Sequence, residues 1–354
     1  MIRNIRSFFS RLCPNGVITL FLTVFLVLGI AGCSFSHPKK TDTLRIGVAL
    51  YSMDDTFISS VKQNLEQLAQ KIEVEQGRKI NLSFADGTSN QTTQMEQIDR
   101  FLAKGCDVLC VNIVDRTAAA VLIDKVESAG IPLIFFNRQP VAEDIDYRNR
   151  VYYVGSNAQE SGMMQGQLVV EAWRKDPSQL DYNRDGILQY VMLEGEPGHQ
   201  DSLLRTEYSV KALTNAGIVV EKLAGDAANW NRGQAAARMQ QWIAEFGDKI
   251  EVVFSNNDDM ALGAIDAWQE QEGHLPLIVG IDATAPALEA VAAGTLYGTV
   301  FNDSQGMARV MLDLALALSS GTDTAPKVQD GHYVWLPHQK ITQANLEEFY
   351  QEME

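Results

Sequence analysis

Short apolar runs alternate regularly with amphipathic helical segments along most of this 354-residue chain. Phe57–Val74 and Ser202–Ala216 are two of the helical segments. This alternation is typical of βαβ units, which build parallel sheets with helices on both faces. Ten runs fit two α/β lobes with doubly wound parallel sheets better than one sheet, and ligand sites of such lobes lie outside the carboxyl ends of the strands. The predicted strands are Leu44–Tyr51, Ile80–Ala85, Val108–Val114, Ile131–Phe136, Val151–Val154, Leu188–Leu193, Ile218–Leu223, Glu251–Ser255, Leu277–Ile281 and Leu296–Phe301.

The amino-terminal segment differs from the rest of the chain. Three arginines between positions 3 and 11 precede an apolar run, Val17–Leu28, and the segment ends in Ile-Ala-Gly-Cys33. These features predict a signal peptide over residues 1–32, because the run is shorter than the ~20 residues that a permanent transmembrane helix needs. The ending resembles a bacterial lipobox, which implies cleavage before Cys33 and lipidation of its sulfur. An ordinary secretion signal with an incidental cysteine is the alternative. With residues 33–43 as a polar tether, we expect an exported lipoprotein that faces the periplasm or the cell exterior.

The charge balance narrows the choice of partners. The chain has 29 Lys and Arg against 45 Asp and Glu, a formal net charge of −16, and no basic cluster. A nucleic-acid binder needs a basic face that neutralises phosphates, so that class of function is excluded. An anionic membrane surface would repel the folded part, and membrane contact is expected through the lipid alone.

Two cysteines, Cys106 and Cys110, remain once Cys13 leaves with the signal peptide and Cys33 carries the lipid. If residues 107–112 form a strand with a rise of ~3.3 Å per residue, the two Cα atoms lie beyond the ~7 Å limit for a disulfide. We therefore predict free, buried thiols. A metal pair would need His or acidic partners that the segment does not supply.

Polar side chains collect where the predicted strands end. Asn and Asp often cap the helices that follow, which explains part of this pattern. Capping does not explain uncharged Asn placed directly at the end of an apolar strand, whereas amides and carboxylates suit a ligand with many hydroxyls. A polyol is therefore the expected ligand class. The residues concerned are Asp55, Asn112, Asp115, Asn137, Asn256, Asn257, Asp258, Asp282, Asn302 and Asp303.

Six segments make the chain similar to the galactose/glucose-binding members of the periplasmic sugar-binding family. They are Leu44–Phe57, Val111–Asp115, Gly195–Asp201, Asn256–Asp258, Gly280–Asp282 and Val300–Asp303. The resemblance runs from about Leu44 to the carboxyl terminus and implies the type I periplasmic binding protein fold, two lobes joined by three chain crossings. We expect the crossings near Ala129–Leu133, Asn302–Ser304 and Val334–Gln339. The amino-terminal lobe would then comprise residues 44–131 and 304–336, and the carboxyl-terminal lobe residues 132–303 and 337–354.

The resemblance implies a sugar site of ten residues. Phe57 and Trp230 would cover the two C–H faces of a pyranose, while carboxylates, amides, a histidine and Arg205 would bond its hydroxyls. Taken singly, Phe57 and Trp230 are more often core residues, Arg205 could be a surface charge, and His199 could be a solvated loop residue. The implied set is Asp55, Phe57, Asn112, His199, Asp201, Arg205, Trp230, Asn257, Asp282 and Asn302.

A second motif, Asp181–Gln189, matches the first nine positions of an EF-hand calcium loop. Met192 stands at the twelfth position, where a bidentate Glu belongs, and a predicted strand follows instead of a helix. A solvated Asp-Gly turn is therefore the alternative from this segment alone. The resemblance implies that Glu251 supplies the missing carboxylate of a structural Ca²⁺ site. The implied ligands are Asp181, Asn183, Asp185, Gln189 and Glu251 by side chain and Ile187 by its carbonyl.

The expected function is that of a monomeric, lipid-anchored receptor that closes around D-galactose and/or D-glucose and delivers it to the permease of an ABC importer. Another monosaccharide ligand, or ligand presentation to a chemoreceptor or sensor kinase, is the alternative within binding proteins. A glycosidase is the alternative among enzymes, since two carboxylates could act as acid and base, but the motifs supply no activated nucleophile. A LacI-type regulator shares such lobes, yet the signal segment occupies the place of its DNA-reading helices.

Overall fold

The computed structural model describes residues 43–269, 274–320 and 328–353. The predicted signal peptide, the lipidation site Cys33 and the tether up to residue 42 lie outside the described residues. Within the described residues, no helix combines the length and apolarity that crossing a membrane requires.

Twelve strands are present in the described residues. All ten predicted strands are confirmed, with ends that differ by a few residues. The strands are β1 (Thr43–Leu50), β2 (Lys79–Asp86), β3 (Val108–Val111), β4 (Leu133–Phe136), β5 (Val151–Ser156), β6 (Leu188–Glu194), β7 (Val220–Ala227), β8 (Val252–Ser255), β9 (Leu277–Val279), β10 (Gly298–Asn302), β11 (Tyr333–Leu336) and β12 (His338–Thr342).

The strands form two six-stranded sheets, which confirms the two-lobed α/β prediction. The first sheet has the order β11-β5-β4-β3-β1-β2 and is parallel throughout. The second has the order β12-β10-β9-β8-β6-β7 and is parallel except for β12, which runs antiparallel to β10. The jump from one side of β1 or β6 to the other is the topological switch point at which α/β sheets bind ligands.

Helices join the strands and cover both faces of each sheet. Buried apolar side chains form two clusters per sheet, one on each face, so each lobe has its own core. The helices are α1 (Thr56–Gln76), α2 (Gln91–Ala103), α3 (Ala119–Ser128), α4 (Ala142–Ile145), α5 (Ala158–Lys175), α6 (Gln200–Asn215), α7 (Arg232–Phe246), α8 (Asp258–Gln269), α9 (Ala285–Ala293), α10 (Ser304–Ser320) and α11 (Leu346–Met353).

The expected position of the first chain crossing, Ala129–Leu133, is wrong. β4 and β5 pair with β3 in the first sheet, and the chain changes sheet only after Ser156, since α5 packs against α6 and β12. The apolar runs of β4 and β5 are indistinguishable from those of the second sheet, so periodicity could not assign them. The chain changes sheet again at Asp303, between β10 and α10, and at Pro337, between β11 and β12.

Both cysteines of the described residues are free, as predicted. Cys110 is buried in β3 and Cys106 is half-buried. Burial raises the pKa of the Cys106 thiol to about 11 and that of Cys110 further. Both are therefore protonated and unreactive at neutral pH.

Candidate functional site

Residues that follow strands of both sheets line one small cavity of about 30 Å³. This volume is far below the ~300–1,000 Å³ of typical small-molecule sites. Eight of the ten predicted sugar-site residues line it; Asn112 and Asn302 do not. The lining residues are Tyr51, Asp55, Phe57, Asn137, Arg138, His199, Asp201, Arg205, Trp230, Asn257 and Asp282.

Asp55 and Phe57 enter the cavity from the first lobe, at the start of α1. Asp55 is the N-cap of α1, and its Oδ1 accepts a hydrogen bond from the Ile58 N–H at 2.8 Å. Its Oδ2 accepts from the Tyr51 hydroxyl at 2.6 Å. Both carboxylate oxygens are thus oriented before any ligand arrives, which lowers the ordering cost of binding. Phe57 is buried beside them.

His199, Asp201 and Arg205 come from the first turns of α6 in the second lobe. Asp201 and Arg205 lie one turn apart, and Arg205 Nη2 donates to Asp201 Oδ2 at 3.2 Å. Arg205 Nη1 donates to the Asn256 carbonyl at 2.9 Å, whereas its buried Nε has no hydrogen-bond partner among the described residues. A buried donor without a partner is costly, so Arg205 Nε suits a ligand acceptor.

The hydrogen bonds of His199 fix its tautomer. Its Nδ1 accepts from the Asp201 N–H at 3.0 Å, so in the neutral ring the proton lies on Nε2. Burial, and secondarily the nearby Arg138 and Arg205, lower the pKa of His199 well below its usual value. The imidazole is therefore neutral at physiological pH and offers one N–H donor to the cavity.

Trp230 has a left-handed backbone conformation with φ of 63°, and the preceding Asn229 has φ of 51°. Such angles are rare for bulky residues and persist only where surrounding contacts impose them. Asn257 Nδ2 donates to the Trp230 carbonyl at 3.2 Å, and His199 meets the indole edge-on at 5.1 Å. The indole lines the cavity and also packs in the core cluster that contains Trp242. Trp230 is thus both a cavity-lining residue and a core residue, whereas the sequence analysis treated these two roles as alternatives.

Asp282 follows the carboxyl end of β9 in the second lobe. It has φ of 127° and the next residue, Ala283, φ of 55°. Asn302 lies behind it: Asn302 Nδ2 donates to Asp282 Oδ1 at 3.2 Å, and Asn302 Oδ1 accepts from Ser156 Oγ at 3.0 Å. Asn302 therefore orients Asp282 at the point where the chain crosses between the lobes.

Asn112 likewise lies behind the cavity. Its Nδ2 donates to the Phe136 carbonyl at 3.1 Å and to Asn137 Oδ1 at 3.0 Å, and its Oδ1 accepts from the Tyr51 N–H at 3.4 Å. These bonds occupy the amide in this structure, and a direct contact of Asn112 with sugar stays a prediction. Asn112 instead holds the ends of β1 and β4 together.

Three lining residues, Tyr51, Asn137 and Arg138, were absent from the predicted set. Asn137 belongs to the polar residues at strand ends, and its φ of 58° turns the chain into the cavity. Tyr51 ends an apolar run, so the sequence pattern assigns it to the core. Arg138 is nearly fully buried, which a lone arginine after a strand does not reveal.

Capping explains part of the pattern of polar strand ends. Asp55, Asp115, Asn257 and Asp303 each accept an N–H from the first turn of the following helix. Asn112, Asn137, Asp282 and Asn302 make the other contacts described above. The pattern therefore marked both helix starts and the site.

Burial dominates the electrostatics of the carboxylates in the second lobe. It raises the pKa of Asp201, opposed chiefly by Arg205, and raises that of Asp282 well above its usual value. Arg205 Nη1 lies 4.0 Å from Asp282 Oδ1. The buried Arg205 guanidinium is thus shared by the carboxylates of Asp201 and Asp282. The carboxylate oxygens keep lone pairs that can accept hydrogen bonds from ligand hydroxyls.

The predicted calcium loop brings its side chains together. Asp181 Oδ1 and Asn183 Oδ1 both accept from the Asp185 N–H, at 3.0 and 2.8 Å. Gln189 Nε2 donates to Asp185 Oδ2 at 2.9 Å, and Asn183 Nδ2 donates to Gln189 Oε1 at 3.2 Å. These contacts place four of the predicted ligands around one point of the loop.

Glu251 closes the loop from the start of β8. Its carboxylate accepts from the Tyr182 and Gln189 N–H groups, each at 2.9 Å, and it is only 1% exposed. Burial raises its pKa to about 7. No cluster of three or more His, Cys, Asp or Glu in the described part of the chain has the geometry of a metal site. The oxygen-rich donor set fits Ca²⁺ chemically, and the calcium site stays a prediction.

Comparison with known proteins finds similarity to periplasmic and solute-binding proteins along most of the chain. A model of the periplasmic binding protein domain matches residues 46–323. The D-galactose/methyl-galactoside binding periplasmic protein of Haemophilus influenzae is 38% identical over 92% of this chain and 96% of its own length. A rhizopine-binding protein of Rhizobium meliloti, itself named as putative, is 32% identical over 91% of this chain and 97% of its own length. The solved structure of an ABC transporter solute-binding protein from Bacillus halodurans, with bound myo-inositol, superposes with a TM-score of 0.72 at 28% identity and covers 87% of this chain and 98% of that one.

Proposed function

This chain belongs to the periplasmic binding protein family, and from that premise we propose that it is a receptor for D-galactose and/or D-glucose. Members of the family are exported solute-binding components of ABC importers, and the sugar-binding relatives and structural neighbours agree with that role here. The proposed receptor captures one hexose between its lobes and presents it to the permease.

The observation that carries the proposal is the composition of the cavity described above, which residues of both lobes line. Phe57 lines it from the first lobe and Trp230 from the second, and the remaining lining residues are polar or charged except at Tyr51. Aromatic rings bury the C–H faces of a pyranose, whereas hydroxyls need partners once water leaves. Asp55, the neutral His199 and Arg205 Nε supply an acceptor and two donors of fixed direction.

The choice of hexose rests on similarity. The Haemophilus influenzae protein named for D-galactose shares more sequence with this chain than the Bacillus halodurans protein that holds myo-inositol. A polyol or another monosaccharide is therefore the second candidate. Thermal unfolding with D-galactose, D-glucose, D-ribose, D-xylose, D-allose and myo-inositol separates the two. Galactose or glucose should raise the melting temperature most; a larger rise with myo-inositol or a pentose would reject the hexose proposal.

An enzymatic role is disfavoured at the level of the family, whose members are solute-binding proteins. Arg205 pairs with Asp201, and Asn302 bonds Asp282, so these carboxylates are placed to accept hydrogen bonds. Incubation with an aryl galactoside should give saturable binding and no released phenol. Steady release would support the glycosidase alternative.

Two further features belong to the proposal. Lipidation at Cys33 would hold the receptor at the membrane, and Cys33→Ser should then move the protein from the detergent phase to the aqueous phase. A structural Ca²⁺ held by Asp181, Asn183, Asp185, Gln189, Glu251 and the Ile187 carbonyl would neutralise the carboxylates of the loop. Presentation of the sugar-bound form to a chemoreceptor or sensor kinase is an alternative output of the same binding.

A further inference from the structure

Arg138 and Glu196 form an ion pair across the two lobes. Arg138 follows β4 in the first lobe, Glu196 follows β6 in the second, and Arg138 Nη1 lies 2.8 Å from Glu196 Oε2. Every other ion pair found between described residues joins residues of one lobe. The pair therefore depends on how the lobes approach each other.

Arg138 is held tightly on its own side. Its exposed fraction is 4%, Nη1 donates to the Val114 carbonyl at 3.1 Å, and Cζ lies 3.4 Å from the centre of the Tyr51 ring. The guanidinium thus covers one face of Tyr51. A buried cation of this kind needs an opposite charge, because an unpaired one loses its hydration without compensation.

Tyr51 connects this pair to the sugar cavity. Its hydroxyl donates to Asp55 Oδ2 at 2.6 Å, and Asp55 lines the cavity beside Phe57. Arg138 also lines the cavity. A continuous chain of contacts thus runs from Glu196 in the second lobe through Arg138 and Tyr51 to Asp55 in the first.

We propose that Arg138 is a positioning residue, which pairs with Glu196 when the lobes close and thereby holds Tyr51 and Asp55 in their sugar-binding geometry. With the lobes apart, water can hydrate Arg138 and Glu196 separately, so the pair stabilises the closed form selectively. Selective stabilisation of one conformation is what shifts an equilibrium. The neighbouring contact from Gln200 Nε2 to Gln139 Oε1, at 2.8 Å, would form in the same movement.

The inference rests on the proposed function and predicts a kinetic signature. Removal of one partner of a buried charge pair acts mainly on dissociation, so Glu196→Gln should raise the sugar dissociation rate by about 10- to 100-fold and leave the association rate within about threefold. Arg138→Lys keeps the charge without the planar fork, and should restore part of the slow dissociation that Arg138→Met loses. Glu127→Gln is the matched control, because Glu127 pairs with Arg148 within the first lobe at 2.9 Å.

Stopped-flow rates, sugar-free denaturation and small-angle X-ray scattering with and without the sugar test the inference. Faster dissociation in Glu196→Gln, a lower closed fraction with sugar and an unchanged sugar-free unfolding midpoint support it. If Glu196→Gln releases sugar no faster than Glu127→Gln, the inference is overturned while the proposed function stands. The same holds if Glu196→Gln and Glu127→Gln destabilise the sugar-free protein equally, because the Arg138–Glu196 pair would then have a structural role only. If no hexose binds the parent, the proposed function fails. The dissociation rates are then measured with myo-inositol: a faster rate in Glu196→Gln than in Glu127→Gln supports the pair, and equal rates overturn it.

Discussion

The indole of Trp230 lies directly against the Cα of Gly195. A Cβ placed on Gly195 would fall 2.1 Å from Trp230 Cη2 and 2.2 Å from Cζ2, far inside van der Waals contact. Gly195 is itself fixed, because its N–H donates to Asn256 Oδ1 at 3.0 Å. The absence of a side chain at residue 195 therefore sets where the aromatic wall of the cavity stands.

Gly195→Ala should accordingly weaken sugar binding by about 10- to 100-fold. The added methyl group displaces the indole, so the variant loses the stacking face as a truncated anchor does, a cost of ~2 kcal/mol. Gly233→Ala in α7 is the control, because its Cβ would meet only Asn231 Oδ1, at 3.4 Å. Calorimetric affinities of both variants check the prediction; an unchanged affinity in Gly195→Ala would show that the indole position is unimportant.

Trp230→Ala should cost both affinity and stability. The stacking face contributes ~2–4 kcal/mol of binding, and the same side chain packs in the core cluster of the second lobe. Trp242→Ala serves as control, since Trp242 is buried in that cluster and does not line the cavity. Denaturation midpoints should fall in both variants, whereas the sugar dissociation constant should rise only in Trp230→Ala. A similar rise in both would mean that the affinity loss reports core damage.

The sequence predicted strands and site residues wherever a local pattern carried the information. β1 to β10 have apolar runs, and Asp55, His199, Asp201 and Asp282 stand at strand ends or in motifs. β11 and β12 were missed because they are short edge strands, of four and five residues, and because β12 is mostly polar. An edge strand needs no alternation as regular as that of a central strand.

The rest of the site depends on relationships between distant segments. Whether Asn112 reaches a ligand depends on Phe136 and Asn137, which occupy its amide. The importance of Arg138 depends on Glu196 from the other lobe and on Tyr51 beneath it. Such partners are brought together by the topology of the two sheets, which single-residue patterns do not specify.

Removal of calcium should destabilise the second lobe. Glu251 is a buried carboxylate that accepts only backbone N–H groups among its described hydrogen bonds, so a bound cation would offset its desolvation. EDTA should lower the melting temperature by roughly 5–10 °C. Glu251→Gln should abolish this sensitivity, whereas Asp248→Asn, at an exposed position nearby, should keep it. An unchanged melt in EDTA together with no calcium by elemental analysis would remove the metal from the account.

His338 should make stability fall at mildly acidic pH. Its Nδ1 donates to the Phe301 carbonyl at 2.9 Å, its Nε2 has no partner in the described part of the chain, and burial lowers its pKa to about 4. The unfolded chain binds this proton near pH 6.5, so the stability present above pH 6.5 is lost as the pH falls toward 4.

By this linkage, His338 lowers the free energy of unfolding at pH 5 by about 2 kcal/mol relative to neutral pH. His338→Gln should therefore lose less stability than the parent between pH 7.5 and pH 5 in sugar-free denaturation. Equal losses in the two proteins, or an imidazole that titrates near pH 6.5 by NMR, would show that burial does not suppress protonation of His338.

Calorimetric titration of residues 33–354 with D-galactose and D-glucose tests the central claim most directly, that the cavity between the lobes is a hexose site. We expect saturable binding of at least one of them, one sugar per chain, with a dissociation constant of about 1 μM or below, equivalent to about −8 kcal/mol. Substitution of the cavity residue Arg205 by Met should abolish the heat, whereas the exposed pair residue Lys71→Met should leave it unchanged. No heat with either hexose from a folded parent protein would contradict the claim.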